Sequence, residues 1–137
     1  MTGNEQVLSY LTNIPAWYLA TCEGDQPHVR PFSFAAEQDG KIWFCTATTK
    51  DVYHELEVNP KFELSGWHPG HGWIILRGKA ELIDEANADV RRAGYEHMVG
   101  LGESYDTEND PVLTFFSVKD PQAWMCDIDG SWEPIEF

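Results

Sequence analysis

His28-Val-Arg-Pro-Phe-Ser-Phe34 and, ten residues further on, Phe44-Cys-Thr-Ala-Thr-Thr-Lys50 carry the reading of this chain. Each is an aromatic-rich, extended segment running into or out of a turn, which is the chemistry of strands. Between them they bring an arginine, a run of hydroxyls and a lysine to a predicted helix start. A phosphate-bearing cofactor needs such groups: a helix N-terminus offers free N–H donors, threonine hydroxyls donate, and cations neutralise the charge.

Working outward, the spacing predicts a short packing helix over Glu5 to Leu11, capped by Asn4 and stopped before Pro15. Trp17 to Cys22, a turn at Glu23 to Gln26, and Pro27 to Phe34 read as a hairpin. A second turn at Glu37 to Gly40 leads into Lys41 to Cys45, so a three-strand meander is expected. A helix from Thr49 or Lys50 ends at Asn59-Pro60, because proline forbids its continuation. Lys61 to Ser65 alternates as a strand, Gly66 to Gly72 reads as a loop, and Trp73 to Ile83 as a long strand with a bulge at Gly78. A second long helix is predicted from Glu85 to about His97, with Gly94 as its weak point, followed by an acidic surface loop from Glu103 to Asp110. Val112 to Val118 and Trp124 to Ile128 read as two further strands, and Asp129-Gly130 turns the chain into a last short segment. Six or seven hairpin-connected strands with inserted helices make the expected class mainly β: an antiparallel barrel with α insertions.

The 137 residues suit a single domain, 1–137, with 42% hydrophobic residues and six tryptophans to fill its core. No apolar run approaches the ~20 residues of a spanning helix, and no signal-peptide pattern opens the chain, so the expectation is a cytoplasmic protein without a membrane partner. A net charge of -14 repels the phosphate backbone of nucleic acid, which excludes that partner class. Cys22, Cys45 and Cys126 have neither a CxxC nor a zinc spacing and sit among apolar neighbours, which reads as structural thiols. His68 and His71 share a Pro/Gly loop with no carboxylate or cysteine nearby, and no metal site is expected. No Ser/His/Asp order, paired-acid motif or P-loop is present.

The Arg30-Pro-Phe32 strand, the Thr46 to Lys50 turn with its helix ending in Asn59-Pro60, Gly78-Lys-Ala80 in the long strand, and the Gly130 to Ile135 close occur in the order found in one family. Over nearly its whole length the chain resembles the small FMN-binding split-barrel proteins related to pyridoxamine 5′-phosphate oxidase. That resemblance implies a six-stranded split barrel, a homodimer, and one FMN per subunit in the groove between subunits. It sets Arg30, Pro31, Phe32 and Ser33 beside the isoalloxazine and phosphate side of the flavin, and Thr46, Thr48, Thr49 and Lys50 around the phosphate. As residues alone, Arg30 also reads as a surface arginine on an edge strand, and the threonines as ordinary strand-end and capping residues. Trp67 and Trp73 read first as packing and second as a pocket wall.

Two departures qualify the resemblance. Asp51 stands where family members often carry a second basic residue, and the chain closes on Trp132-Glu-Pro-Ile-Glu-Phe137 rather than on a basic pattern able to grip a substrate phosphate. The expected function is therefore an FMN-dependent oxidoreductase acting on a small molecule, with reduced nicotinamide or an organic compound as electron donor, and not a pyridoxamine-phosphate oxidase. No catalytic acid or base is named, because the flavin carries the chemistry. The alternatives are a flavin or haem binding module without turnover and a deazaflavin-dependent reductase on the same barrel.

Overall fold

The computed structural model describes all residues from Met1 to Phe137. Helix α1 (Gly3–Leu11) is capped by Thr2, whose hydroxyl accepts from the Glu5 N–H at 3.1 Å. Asn4, the cap expected from sequence, instead donates from its amide to the Gly40 carbonyl at 2.8 Å and ties the helix to a distant turn. Val7 and Leu11 are the buried face of α1. No helix is long and apolar enough to cross a membrane.

Strands β1 (Trp17–Glu23) and β2 (Gln26–Phe32) form the first hairpin, and β3 (Ala35–Gln38) and β4 (Lys41–Ala47) the second. The second turn is tighter than expected, because Asp39 and Gly40 both adopt positive φ (53° and 72°), the twist a two-residue hairpin requires. Helix α2 (Asp51–Val58) ends at Asn59-Pro60. It is followed by β5 (Lys61–His68), β6 (Gly72–Glu81), α3 (Ala88–Gly100), β7 (Leu113–Cys126) and β8 (Trp132–Ile135). The antiparallel sheet runs β2-β1-β5-β6-β7-β4-β3, with β8 added beside β7.

The mainly β class and the split barrel hold, with eight strands rather than six. The expected three-strand meander does not form. The chain leaves the sheet at Ser33 and Phe34 and crosses to its far side, where β4 pairs with β7 from Trp43↔Ser117 to Ala47↔Leu113. The free edge of β1 is taken by β5, with Tyr18 opposite Ser65. The segments read as two late strands are one continuous β7, bent at Asp120 (φ 53°) and Pro121 opposite the irregularity between Arg77 and Lys79. Proline is tolerated there because an irregular ladder has no hydrogen bond for it to break. Gly78 sits at that irregularity, as its place in the sequence suggested.

The main core gathers Trp17, Phe32, Phe44, Phe62 and Phe116 with aliphatic residues of α1, α2 and the sheet. Its rings meet edge-on or tilted at 5.6 to 6.2 Å, the geometry their quadrupoles favour. A smaller cluster of Phe34, Trp43, Cys45, Val90, Leu113 and Phe115 lies on the opposite face of β4 and β7 beneath α3. Consequently β4 is buried on both faces from Ile42 to Ala47 and shows none of the alternation of a half-exposed strand.

Candidate functional site

The break between β2 and β3 leaves a cleft of about 370 Å³ in the split of the barrel. Its floor is the chain from Arg30 to Phe34, where β2 ends and the crossing begins. Cys45 and Thr46 of β4 form one wall, Lys50 and Val52 at the start of α2 another, and Met98, Leu101 and Glu103 at the end of α3 close it. A more polar cavity of about 590 Å³ adjoins it between the first hairpin and α2, and the two share Arg30, Lys50 and Val52.

Six of the expected site residues, Arg30, Pro31, Phe32, Ser33, Thr46 and Lys50, thus line one cleft. Thr48 and Thr49 do not line it; the Thr48 N–H bonds instead to the Val112 carbonyl at 2.9 Å. Trp67 and Trp73 face each other across β5 and β6, away from both cavities. Of the three thiols, Cys45 and Cys126 are buried as expected, whereas Cys22 is half-buried and lines the second cavity.

Both cleft cations already have carboxylate partners. Arg30 donates to the Leu19 carbonyl (3.2 Å), the Thr21 hydroxyl (2.8 Å) and Glu55 Oε1 (2.7 Å). Thr21 in turn donates to the same Glu55 oxygen at 2.5 Å. Burial works against the charge on Glu55, but the Thr21 hydroxyl and the Arg30 guanidinium outweigh it and hold the carboxyl below its usual range. Lys50 donates to Glu103 Oε1, while Glu103 Oε2 is buried with no partner. Burial first, and the Glu103 carboxylate second, push the Tyr105 hydroxyl up to about 12 and the Cys45 thiol up to about 12. Cys45 is therefore a wall and not a nucleophile.

Glu103 reaches the cleft because of how α3 ends. The Glu103 N–H bonds to the Met98 carbonyl (3.1 Å) and the Gly102 N–H to the Val99 carbonyl (3.0 Å), around Gly102 at φ 96°. This is a glycine-terminated helix cap that reverses the chain and returns Glu103 toward α2. At the other rim, Ser33 Oγ lies 2.8 Å from His97 Nε2 of α3.

Glu55, Met98, Leu101 and Glu103 were not legible as site residues, since they fall in a helix interior, a helix end and a stretch that reads as solvent loop. Only Gly102, one residue before an acid at a helix end, hinted at a chain reversal.

The sequence model of the pyridoxamine 5′-phosphate oxidase family matches residues 4–123. Among solved structures, a NimC/NimA family protein from Clostridium acetobutylicum is 30% identical, with a TM-score of 0.81 over 97% of this chain and 91% of that one. A pyridoxamine 5′-phosphate oxidase-related, FMN-binding protein from Nostoc punctiforme is 14% identical, with a TM-score of 0.59 over 96% and 91% of the two chains. An F420 reductase is 21% identical, with a TM-score of 0.58 over 81% and 90%. No curated protein matches the chain at comparable significance.

Proposed function

The chain belongs to the pyridoxamine 5′-phosphate oxidase family, and from that membership we propose that it is an FMN-dependent oxidoreductase of a small substrate, distinct from a pyridoxamine-phosphate oxidase. The observation that carries this reading is the cleft itself: an apolar slot beside the Arg30–Phe34 chain, with a lysine where α2 begins. Its volume of about 370 Å³ falls in the range of small-molecule sites. Its walls of Pro31, Phe32, Phe34, Val52, Met98 and Leu101 suit a flat ring system. At the mouth, Lys50 is the N-cap of α2 and makes no side-chain cap bond, so the helix keeps free N–H groups that suit a phosphate.

Bound there, a flavin supplies the hydride and electron chemistry. The polypeptide binds, orients and excludes water: Phe32 and Val52 dry the slot, Thr46 offers a hydroxyl on the β4 wall, and Ser33 presents an Oγ held by His97. Substrate phosphate is disfavoured on charge grounds. Every lysine and arginine except Lys61 and Lys119 is paired with a carboxylate, and those two stand outside the cleft. A neutral or apolar acceptor fits better than a dianion.

The subunit works as a homodimer, with its cofactor groove at the boundary. What supports this is the outer sheet face, where Pro31, Tyr18, Ser65, Ile75, Trp124 and Pro134 stand in register across six strands. Trp67, 60% exposed, and Trp132 flank this row. Ile75 within the row is buried, but Tyr18, Trp67 and Trp132 are about half exposed or more, and large exposed aromatic side chains on one sheet face mark an interface.

The absorption spectrum of the purified protein tests the reading. Bands of oxidised flavin, or their appearance on adding FMN, are expected; a colourless protein indifferent to FMN overturns it. Fold likeness to an F420 reductase favours a deazaflavin as the second reading, and the deazaflavin spectrum separates the two. A Soret band would point to haem instead.

A further inference from the structure

Glu103 makes the cleft unusual for a phosphate site. It is the carboxylate paired with Lys50, one of its oxygens is buried without a partner, and it lines the same cleft that Lys50 guards. Arg30 offers no substitute, because Thr21 and Glu55 already take its guanidinium. The positive charge nominally available to a phosphate is therefore cancelled twice over by resident acids.

Resting on the flavin reading above, we infer that Glu103 is a resident counterion occupying the phosphate's place on Lys50, and that it sets the protein's selectivity between phosphorylated and unphosphorylated flavin. Three observations meet here. Lys50 is the N-cap of α2 and its ammonium is the one cation near the open helix end that lacks a buried network of its own. Glu103 sits on a glycine-dependent reversal, which aims it from α3 across to α2. Its second oxygen is buried without a close hydrogen bond, the Tyr105 hydroxyl stands against the same carboxylate, and its ion pair is with Lys50, so an entering phosphate contends with a resident anion for that ammonium.

A phosphate entering beside Lys50 meets Glu103 as a like charge and must displace it, whereas riboflavin brings no charge to that position. FMN consequently loses much of the advantage that its phosphate confers in an uncompensated site, and riboflavin loses nothing. Gly102 is part of the device, since only glycine adopts its backbone angle without strain and so keeps Glu103 pointed at Lys50.

The test is a flavin titration of the full chain, read by quenching of flavin fluorescence, for wild type, Glu103→Gln and Glu103→Ala, with FMN and with riboflavin. Glu37→Gln, an exposed acid of β3 outside the cleft, controls for the reduced net charge. Both Glu103 variants are expected to bind FMN about tenfold more tightly while riboflavin affinity stays within about twofold, as loss of one competing charge-assisted contact implies. In a Lys50→Ala background the gain should vanish. An unchanged FMN affinity, or an equal shift for FMN, riboflavin and the Glu37 control, overturns the inference.

Inorganic phosphate separates this inference from the flavin reading. At millimolar concentration it should raise the melting temperature of Glu103→Gln and not that of wild type. If neither flavin binds any variant but phosphate still stabilises only the Glu103 variants, the flavin assignment falls and the role of Glu103 stands. If phosphate has no such effect and FMN binding does not improve, the role of Glu103 falls.

Discussion

At Glu55 one carboxylate oxygen takes hydrogen bonds from both Thr21 and Arg30, and its side chain is only 9% exposed. Removing the charge leaves a largely buried guanidinium without its counterion, so Glu55→Gln is expected to cost about 1.5–3 kcal/mol in urea unfolding at pH 7. Because the folded carboxyl titrates below its ordinary value of 4.5, its contribution is complete above that pH and is lost as pH falls through the depressed folded value. The stability gap between wild type and Glu55→Gln should therefore close on acidification; a gap independent of pH would remove Glu55 from this role. Lys50 acts on the ligand instead. Lys50→Ala should weaken FMN binding by about 1.5–3 kcal/mol, less whatever Glu103 already cancels, and leave riboflavin nearly untouched. Equal losses for both ligands would show that Lys50 does not meet the phosphate.

Helix α3 depends on how closely it approaches β7. A Cβ at Gly94 would stand 2.6 Å from Cε2 and Cζ of the fully buried Phe115, so the helix can pass only where the side chain is absent. On an exposed helix face Gly→Ala gains about 1 kcal/mol, but overpacking a filled core costs about 1–3 kcal/mol. Gly94→Ala is thus expected to lower stability, measured as a lower denaturation midpoint, and a more stable variant would refute the close contact. The other end of α3 is set by Gly102, whose φ of 96° strains any L side chain. Gly102→Ala should perturb the approach of Glu103 to Lys50, moving FMN affinity in the same direction as Glu103→Ala while altering overall stability only modestly.

On the scale of the molecule, the net charge of -14 works against a polyanionic partner, and the proposed dimer rests on the exposed aromatic residues Tyr18, Trp67 and Trp132, whose burial must outweigh the repulsion of two negative subunits. Sedimentation at micromolar concentration should report a dimer, and Trp67→Glu together with Trp132→Glu should shift it toward monomer and weaken flavin binding with it. A monomer that holds FMN at full occupancy would contradict a groove at the subunit boundary. The pairing of the cations leads to a matching expectation for turnover: pyridoxamine 5′-phosphate should not be oxidised at a rate comparable to that of dedicated oxidases, and steady formation of pyridoxal 5′-phosphate would overturn the charge argument.

Local chemistry by itself determined the elements: Asn59-Pro60 stops α2, Asp39-Gly40 turns a hairpin, and Gly78 marks the irregularity of β6. Arg30 to Ser33, Thr46 and Lys50, expected from sequence around one anion, do line one cleft, whereas Thr48 and Thr49 do not. Strand partners were beyond the reach of local chemistry. A hairpin-like run of three strands looks the same whether the third joins the first two or crosses the barrel, and the choice of β7 for β4 rests on burying Phe44 and Phe116 on one face and Cys45 and Phe115 on the other. The charge state of the cleft was likewise decided only in three dimensions. Arg30 meets Glu55 across 25 residues of sequence and Lys50 meets Glu103 across 53, and an ion pair over such a span depends on where the folded backbone brings its two ends.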